Sequence, residues 1–135
     1  MKHIYFFSII LFFYFQPANA QNRPEKMPVY PGCEQAVKKM PCFKEKVLNF
    51  ITENFNSGLI DEIKKETTVS MLIMFVIDEN GKPVDIMIKS GYPSLNDEMK
   101  RVIKKLPAVK PAESGGETVK MQYELPVIFE TGNKK

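Results

Sequence analysis

The two cysteines, Cys33 and Cys42, are the residues whose type and spacing most directly suggest chemistry. In an exported protein, which the N-terminal stretch described below predicts, an even pair indicates a disulfide. A thiol oxidoreductase would need a reactive cysteine and is typically marked by a C-x-x-C motif, which the chain lacks. Two thiolates are also too few for a structural metal site. We therefore predict a Cys33–Cys42 disulfide, and a bridge of this kind is typically worth about 2–4 kcal/mol.

The only histidine, His3, lies in an N-terminal stretch typical of a signal peptide. A short basic start precedes the apolar run from Ile4 to Phe15, and Ala18-Asn19-Ala20 forms an A-x-A cleavage pattern. We predict that residues 1–20 are a signal peptide, cleaved after Ala20. The alternative is an uncleaved inner-membrane anchor, although the apolar run is shorter than the roughly 20 residues that span a bilayer.

Cleavage would remove the only histidine, which makes catalysis improbable. A chain without histidine has no Ser–His or Cys–His pair and no imidazole for zinc. Removing Lys2 leaves 18 basic and 16 acidic residues, a net charge of +2. Such a balanced charge does not favour nucleic acid or anionic membrane as a partner. We predict a protein that is not an enzyme and that has no cofactor, metal or small-molecule substrate.

Two further groups of side chains have alternative interpretations. Three acidic residues near a turn could suggest calcium, but their spacing does not fit an EF-hand and turn chemistry explains them better; they are Asp78, Glu79 and Asp85. Five methionines are predicted to fill gaps in the core and not to bind a metal; they are Met71, Met74, Met87, Met99 and Met121.

A β-hairpin is the clearest structural signal. The run from Val69 to Ile77 is apolar on both faces apart from Ser70, which predicts a central strand. Asn80-Gly81 is the predicted site of positive φ in the following turn. The stretch from Val84 to Lys89 alternates apolar and polar residues, which predicts a half-buried second strand.

Two helices are predicted on either side of the hairpin. The first starts at Phe43, with Gly58 as its αL cap. The second has Ser94 as N-cap and ends before Pro107. Their apolar faces follow helical spacing: Phe43, Val47, Ile51 and Phe55 in the first, and Leu95, Met99, Val102 and Leu106 in the second.

A third strand is predicted from about Thr118, after a loop over 108–116. Proline cannot donate to a strand ladder, so Pro126 predicts an edge strand or a bulge. The proline either protects that edge from aggregation or belongs to an edge that binds a partner. We predict an α+β fold with a three-stranded antiparallel sheet in the order 2-1-3 and both helices on one face.

Several further stretches occur in a fixed order along the chain: Pro28-Val29-Tyr30-Pro31-Gly32, the V-x-M-x-I-x-F-V-I-D-E-N-G-K-P-V run over Val69 to Val84, Lys89-Ser90-Gly91, Leu95 through Pro107, the loop with Pro111 and Gly115-Gly116, and Met121 to Phe129. In this order they resemble the C-terminal domain of TonB-type energy transducers, in a variant similar to those of Bacteroidetes-type bacteria. We therefore predict four parts of the chain: a signal peptide 1–20, an extended entry segment 21–42 with the disulfide, a TonB C-terminal-like domain 43–130 and a polar tail 131–135.

The resemblance implies a periplasmic or secreted protein-interaction module that adds an extended peptide of an envelope protein or outer-membrane receptor to its sheet. The implied partner-binding strand is 119–129, with Lys120, Gln122, Glu124 and Pro126 along it. One alternative is an energy-transducing component of outer-membrane transport whose N-terminal anchor stays uncleaved in the inner membrane. The short entry segment favours the stand-alone module. A further alternative is a homodimer that forms through the sheet edge.

Overall fold

The computed structural model describes residues 23–61, 63 and 68–130. The predicted signal peptide, its cleavage site after Ala20 and the predicted tail 131–135 lie outside the described residues. The elements in chain order are α1 (Lys39–Asn54), α2 (Gly58–Asp61), β1 (Thr68–Ile77), β2 (Pro83–Lys89), α3 (Pro93–Lys104), β3 (Ala112–Ser114), β4 (Glu117–Val119) and β5 (Met121–Glu130).

The main sheet has the predicted order, with β1 between β2 and β5 and both pairings antiparallel. The α+β prediction is therefore confirmed. β1 takes the central position because its side chains are apolar on both faces, whereas each neighbour carries polar side chains on one face. Its pairing with β5 runs without a break over ten residue pairs, from Thr68 opposite Glu130 to Ile77 opposite Met121.

The segment predicted as a loop with the start of the third strand is instead a small separate hairpin. β3 pairs with β4 in an antiparallel two-stranded sheet, with Ser114 opposite Glu117. Gly115 and Gly116 form the two-residue turn and have φ of +60° and +78°. Positive φ at both turn residues matches the twist of a tight hairpin and is readily adopted by glycine. The long strand consequently starts at Met121 and not near Thr118.

Helix α1 differs from its prediction at both ends. It begins at Lys39, four residues before Phe43, because Pro41 falls in the first turn, where a missing backbone N–H costs little. It ends at Asn54, and Phe55 is extended. Gly58 is not an αL cap, since it opens α2 and is absent from the glycines with positive φ.

Helix α3 begins at Pro93 and not after an N-cap at Ser94. Proline suits the first helical position because its φ is fixed near the helical value and its missing N–H would be unpaired there. The preceding residue, Tyr92, is the N-cap and makes no side-chain capping hydrogen bond. Arg101 and Lys104 lie in the last turn of the helix, where the helix dipole favours cations.

Both long helices pack on the same face of the main sheet. Alternate residues of β1 are buried there and meet one continuous core; they are Val69, Met71, Ile73, Phe75 and Ile77. The predicted apolar faces of the two helices enter the same core. The methionines divide between environments: Met71 and Met99 are buried, whereas Met87 is 55% exposed on β2 and is not core filling.

The turn between β1 and β2 is held by the side chain of Asp78 and by a loop later in the chain. Asp78 Oδ1 accepts hydrogen bonds from the backbone N–H of Asn80 and Lys82, at 2.9 and 2.8 Å. Gly81 has φ of +77°, as predicted, and its carbonyl accepts from Val109 N at 2.9 Å. A Cβ on Gly81 would lie 1.7 Å from Val109 O, so this approach requires glycine.

An ion pair within α3 is hydrogen-bonded to the backbone at the end of α1. Glu98 Oε2 accepts from Arg101 Nε at 2.7 Å, and Glu98 Oε1 accepts from the backbone N–H of Asn56 at 3.0 Å. Arg101 Nη2 donates to the carbonyl of Asn54 at 3.0 Å. The hydrogen bond from Arg101, helped by the Asn56 N–H, lowers the pKa of Glu98 to about 2. The side chain of Glu98 is 12% exposed and that of Arg101 is 43% exposed, so solvent partly screens their attraction.

We expect Glu98→Gln to lower the free energy of unfolding by about 1 kcal/mol at pH 7, because it replaces charge-assisted hydrogen bonds with neutral ones. Since the pKa of Glu98 is depressed in the folded chain, its contribution is complete above the ordinary pKa of 4.5 and is lost as the pH falls towards 2. Urea unfolding between pH 2 and 7 measures this. The neighbouring exposed variant Asp97→Asn is the matched control. A Glu98→Gln deficit that is constant over this range would contradict the assignment.

Candidate functional site

The open edge of β5 is the candidate site. β5 is bonded to β1 along one side, and no other described strand pairs with its opposite side. It is ten residues long, which makes it the longer of the two edge strands of the main sheet. An unpaired strand edge presents backbone donors and acceptors in a row and is a template for another strand.

Pro126 determines which backbone groups face outward. The register with β1 continues through Pro126, which lies opposite Leu72. Because proline has no N–H, uninterrupted pairing requires its nitrogen to point away from β1. Backbone groups of successive strand residues point to opposite edges. The residues with outward backbone groups are therefore Gln122, Glu124, Pro126, Ile128 and Glu130.

The same five residues are exposed on the face of the sheet that the helices leave uncovered. Ile128 is 67% exposed, which is unusual for an aliphatic side chain. The intervening residues turn towards the helices: Tyr123 and Leu125 are buried, and Val127 and Phe129 are partly buried against the core. One face of β5 therefore exposes polar and apolar side chains, and its other face packs against the core.

Stacked aromatic rings hold β5 in place. The ring of Tyr123 lies 4.3 Å from that of Phe43 on α1 and 5.5 Å from that of Phe75 on β1, nearly parallel to both. Further along the strand, Phe129 stacks on Phe55 at 5.0 Å. Burial raises the pKa of Tyr123, and its hydroxyl has no hydrogen-bond partner among the described residues. Tyr123 is therefore a neutral core residue that anchors the strand and does not belong to its outward row.

The entry segment is bonded to the small hairpin. The backbones of Lys26 and Glu113 exchange two hydrogen bonds of 3.0 Å, and those of Val29 and Lys110 exchange two of 2.9 Å. Lys26 Nζ also pairs with Glu113 Oε2 at 2.7 Å. This segment supplies Tyr30 and Cys33 to the core.

The predicted disulfide is confirmed: Cys33 and Cys42 are bonded, with their Cα atoms 6.0 Å apart. The bridge joins the entry segment to the first turn of α1. Cys33 is completely buried, and the described residues include no free cysteine. Within the described part of the chain, no group of three or more His, Cys, Asp or Glu side chains is placed to hold a metal ion.

The structure brings together three of the four residues predicted along the partner-binding strand. Gln122, Glu124 and Pro126 lie in one outward row of β5. Lys120 does not, since it is an exposed link between β4 and β5. Ile128, which lies within the predicted strand 119–129 but is not singled out there, stands two residues after Pro126 in the same alternating row.

None of the helices within 23–61, 63 and 68–130 has the length and hydropathy needed to cross a bilayer.

One family model matches the chain. The family model described as "Gram-negative bacterial TonB protein C-terminal" matches residues 62–131, about half of the chain, and includes β1, β2, α3 and the strands that follow. No curated protein matches the chain.

Proposed function

Because the chain belongs to the family of Gram-negative bacterial TonB C-terminal domains, we propose that it binds an extended peptide of an envelope protein by adding it as a fourth strand at the open edge of β5. The family has a TonB-like role in protein interaction or energy transduction at the Gram-negative envelope. The proposed role is binding and not catalysis. The observation that carries the proposal is the outward row of β5, whose backbone groups have no strand partner among the described residues.

Strand addition would use the backbone for affinity and the neighbouring side chains for selectivity. The outward N–H groups of Gln122, Glu124 and Ile128 are available donors on this edge. The outward carbonyl of Pro126 is an acceptor even though its nitrogen is not a donor. The aromatic stacking of Tyr123 keeps the strand extended before a partner arrives, which lowers the ordering cost of binding.

We expect a photo-crosslinking side chain at Gln122 to capture an envelope protein in cells, and Glu124→Pro to weaken that capture about threefold to tenfold. The substitution removes one outward donor, typically worth about 1 kcal/mol, and displaces a side chain next to the partner. Because the Glu124 N–H points away from β1, the ladder with Met74 opposite is retained and the fold should persist. Quantitative mass spectrometry of the adducts gives the capture yield.

The control is Glu117→Ala, at an exposed position of the small hairpin. Alanine is used there because a proline would disturb β4, which is paired with β3. Glu117→Ala should leave the adduct unchanged. Circular dichroism of each purified variant establishes that the fold is intact. An unchanged adduct in a folded Glu124→Pro chain would show that strand addition at this edge is wrong.

A further inference from the structure

The face of the main sheet that the helices leave uncovered carries an apolar strip along its centre. On β1 this strip consists of three half-buried side chains, Leu72, Met74 and Val76. Met87 of β2 lies opposite Met74 and is 55% exposed. None of these four side chains belongs to the core or packs against it. A contiguous group of exposed apolar side chains is typical of an interaction surface.

Opposite charges lie on the two sides of this apolar strip. Lys89 of β2 is in register with Leu72, and Glu124 of β5 is in register with Met74. Directly opposed residues of antiparallel strands share a face, so both charged side chains project from the uncovered face. Neither makes an ion pair with another described residue. The uncovered face therefore has a basic side on β2, an apolar centre on β1 and an acidic side on β5.

Such a face is complementary to a second copy of itself. In a two-fold dimer with its axis along β1, the apolar centres meet and the basic side of each copy faces the acidic side of the other. Met87 of one copy then lies over Glu124 of the other, because both are in register with Met74. Lys89 lies about 7 Å further along β2, a distance that its side chain spans. An axis across the strands would instead bring like charges together.

We propose that the uncovered face is the interface of a homodimer in which two sheets pack face to face, with the basic side of each copy against the acidic side of the other. Burial of the apolar centre supplies the attraction. Two symmetry-related Lys89–Glu124 pairs determine the orientation. The dimer does not require peptide binding, and it leaves the backbone edge of each β5 open at the margin of the interface. Two such edges would bind a partner that carries two peptides more tightly than one edge alone.

Analytical ultracentrifugation of the protein purified from the cells that make it measures this association over a concentration series. We expect a dimer whose dissociation constant rises about tenfold in Met87→Glu, because the new carboxylate lies over Glu124 of the second copy. Met87 is exposed, so the monomer should fold unchanged, which circular dichroism verifies. The matched control is Val37→Glu, at a side chain in the disulfide loop that is 99% exposed. It should leave the dissociation constant unchanged.

Exchange of the two charges tests the orientation of the dimer. Lys89→Glu should weaken the dimer about tenfold, because repulsion replaces attraction at two symmetry-related places. The double variant Lys89→Glu, Glu124→Lys restores opposite charges and should return the dissociation constant to within about threefold of the original value. A double variant as weak as Lys89→Glu alone would overturn the charge-paired interface.

Other occupants of the uncovered face would give different results. A photo-crosslinking side chain at Met87 should join two copies of the chain in cells, with the adduct located on β5 of the second copy. Capture of a different protein, without an adduct of two copies, would assign the face to a heterologous partner and overturn the homodimer. A dimer that Glu124→Pro dissociates and Met87→Glu does not would be paired through the β5 edge, which also overturns it. A chain that is still monomeric at about 1 mM would do the same.

Discussion

Replacing Phe43 by alanine is expected to lower the free energy of unfolding by about 3–5 kcal/mol, the usual cost of removing a buried aromatic ring. Phe43 is completely buried on α1. Its ring stacks on Tyr123 of β5 at 4.3 Å and meets the edge of the Tyr30 ring at 5.9 Å. One side chain thus joins the entry segment, the first helix and the candidate binding strand. Urea unfolding followed by circular dichroism measures the loss.

Two controls separate this effect from general damage to the region. Leu48→Ala changes a residue of the same helix that is 38% exposed and should cost less than about 1 kcal/mol. Tyr123→Phe keeps the stacked ring and removes a buried hydroxyl that has no partner among the described residues. It should be neutral or stabilising by about 1 kcal/mol. A Phe43→Ala cost as small as that of Leu48→Ala would contradict the central position of this ring.

Phe43→Ala should also weaken partner capture, because β5 loses the ring on which Tyr123 stacks. The free edge would then have to be ordered at the moment of binding, which reduces affinity. We expect the Gln122 crosslinking yield to fall under conditions where most of the Phe43→Ala chain is still folded. A yield equal to that of the unmodified chain would indicate that the edge is held by β1 alone.

The parts of the fold that the sequence predicts well are those with strong periodicity. Phe43, Val47 and Ile51 recur every four residues and are all buried, because one helical face meets the sheet. The run from Val69 to Ile77 is central because apolar side chains on both faces favour a strand with neighbours on both sides. These patterns are local and strong enough to determine the element and its place.

The parts that the sequence did not predict depend on contacts between distant segments. β3 and β4 have three residues each, too few for a period to be visible, and their hairpin is bonded to Lys26 of the entry segment. The approach of Val109 to Gly81 joins a loop to a turn almost thirty residues earlier in the chain. Asp85, with φ of +50°, lies where the β1–β2 register shifts, and local alternation does not mark this irregularity.

The candidate site was partly predictable for a related reason. Pro126 marked an edge because proline is excluded from central strands, and period-two alternation placed Gln122 and Glu124 in the same row. The alternation continues back through Lys120 and predicts it in the strand, but β4, which pairs with β3 across the Gly115-Gly116 turn, ends at Val119. Where the strand starts is decided by this turn and not by the side-chain pattern.

Removing the disulfide is the second change with a large expected effect. Replacing both Cys33 and Cys42 by alanine should lower the free energy of unfolding by about 2–3 kcal/mol. The two cysteines are nine residues apart, and loop-closure entropy predicts about this value for so short a loop. The bridge also holds the entry segment near α1, where Tyr30 contacts Phe43, so its loss should loosen this contact before the rest of the core.

Reduction provides an independent measurement of the same effect. The unmodified chain treated with a thiol reductant should unfold at the same urea concentration as the double alanine variant, while the variant itself should not respond to the reductant. On reduction, hydrogen exchange should become faster at the Cys33 N–H, which donates to Tyr30 O. The exchange of the β1 amides that pair with β5 should change less. Equal stability of the oxidised and reduced chains would mean that packing of the entry segment, and not the covalent bond, holds Tyr30 against Phe43. If only the entry segment loses protection from exchange, the disulfide stabilises that segment alone, and β5 is still held by β1 and Phe75.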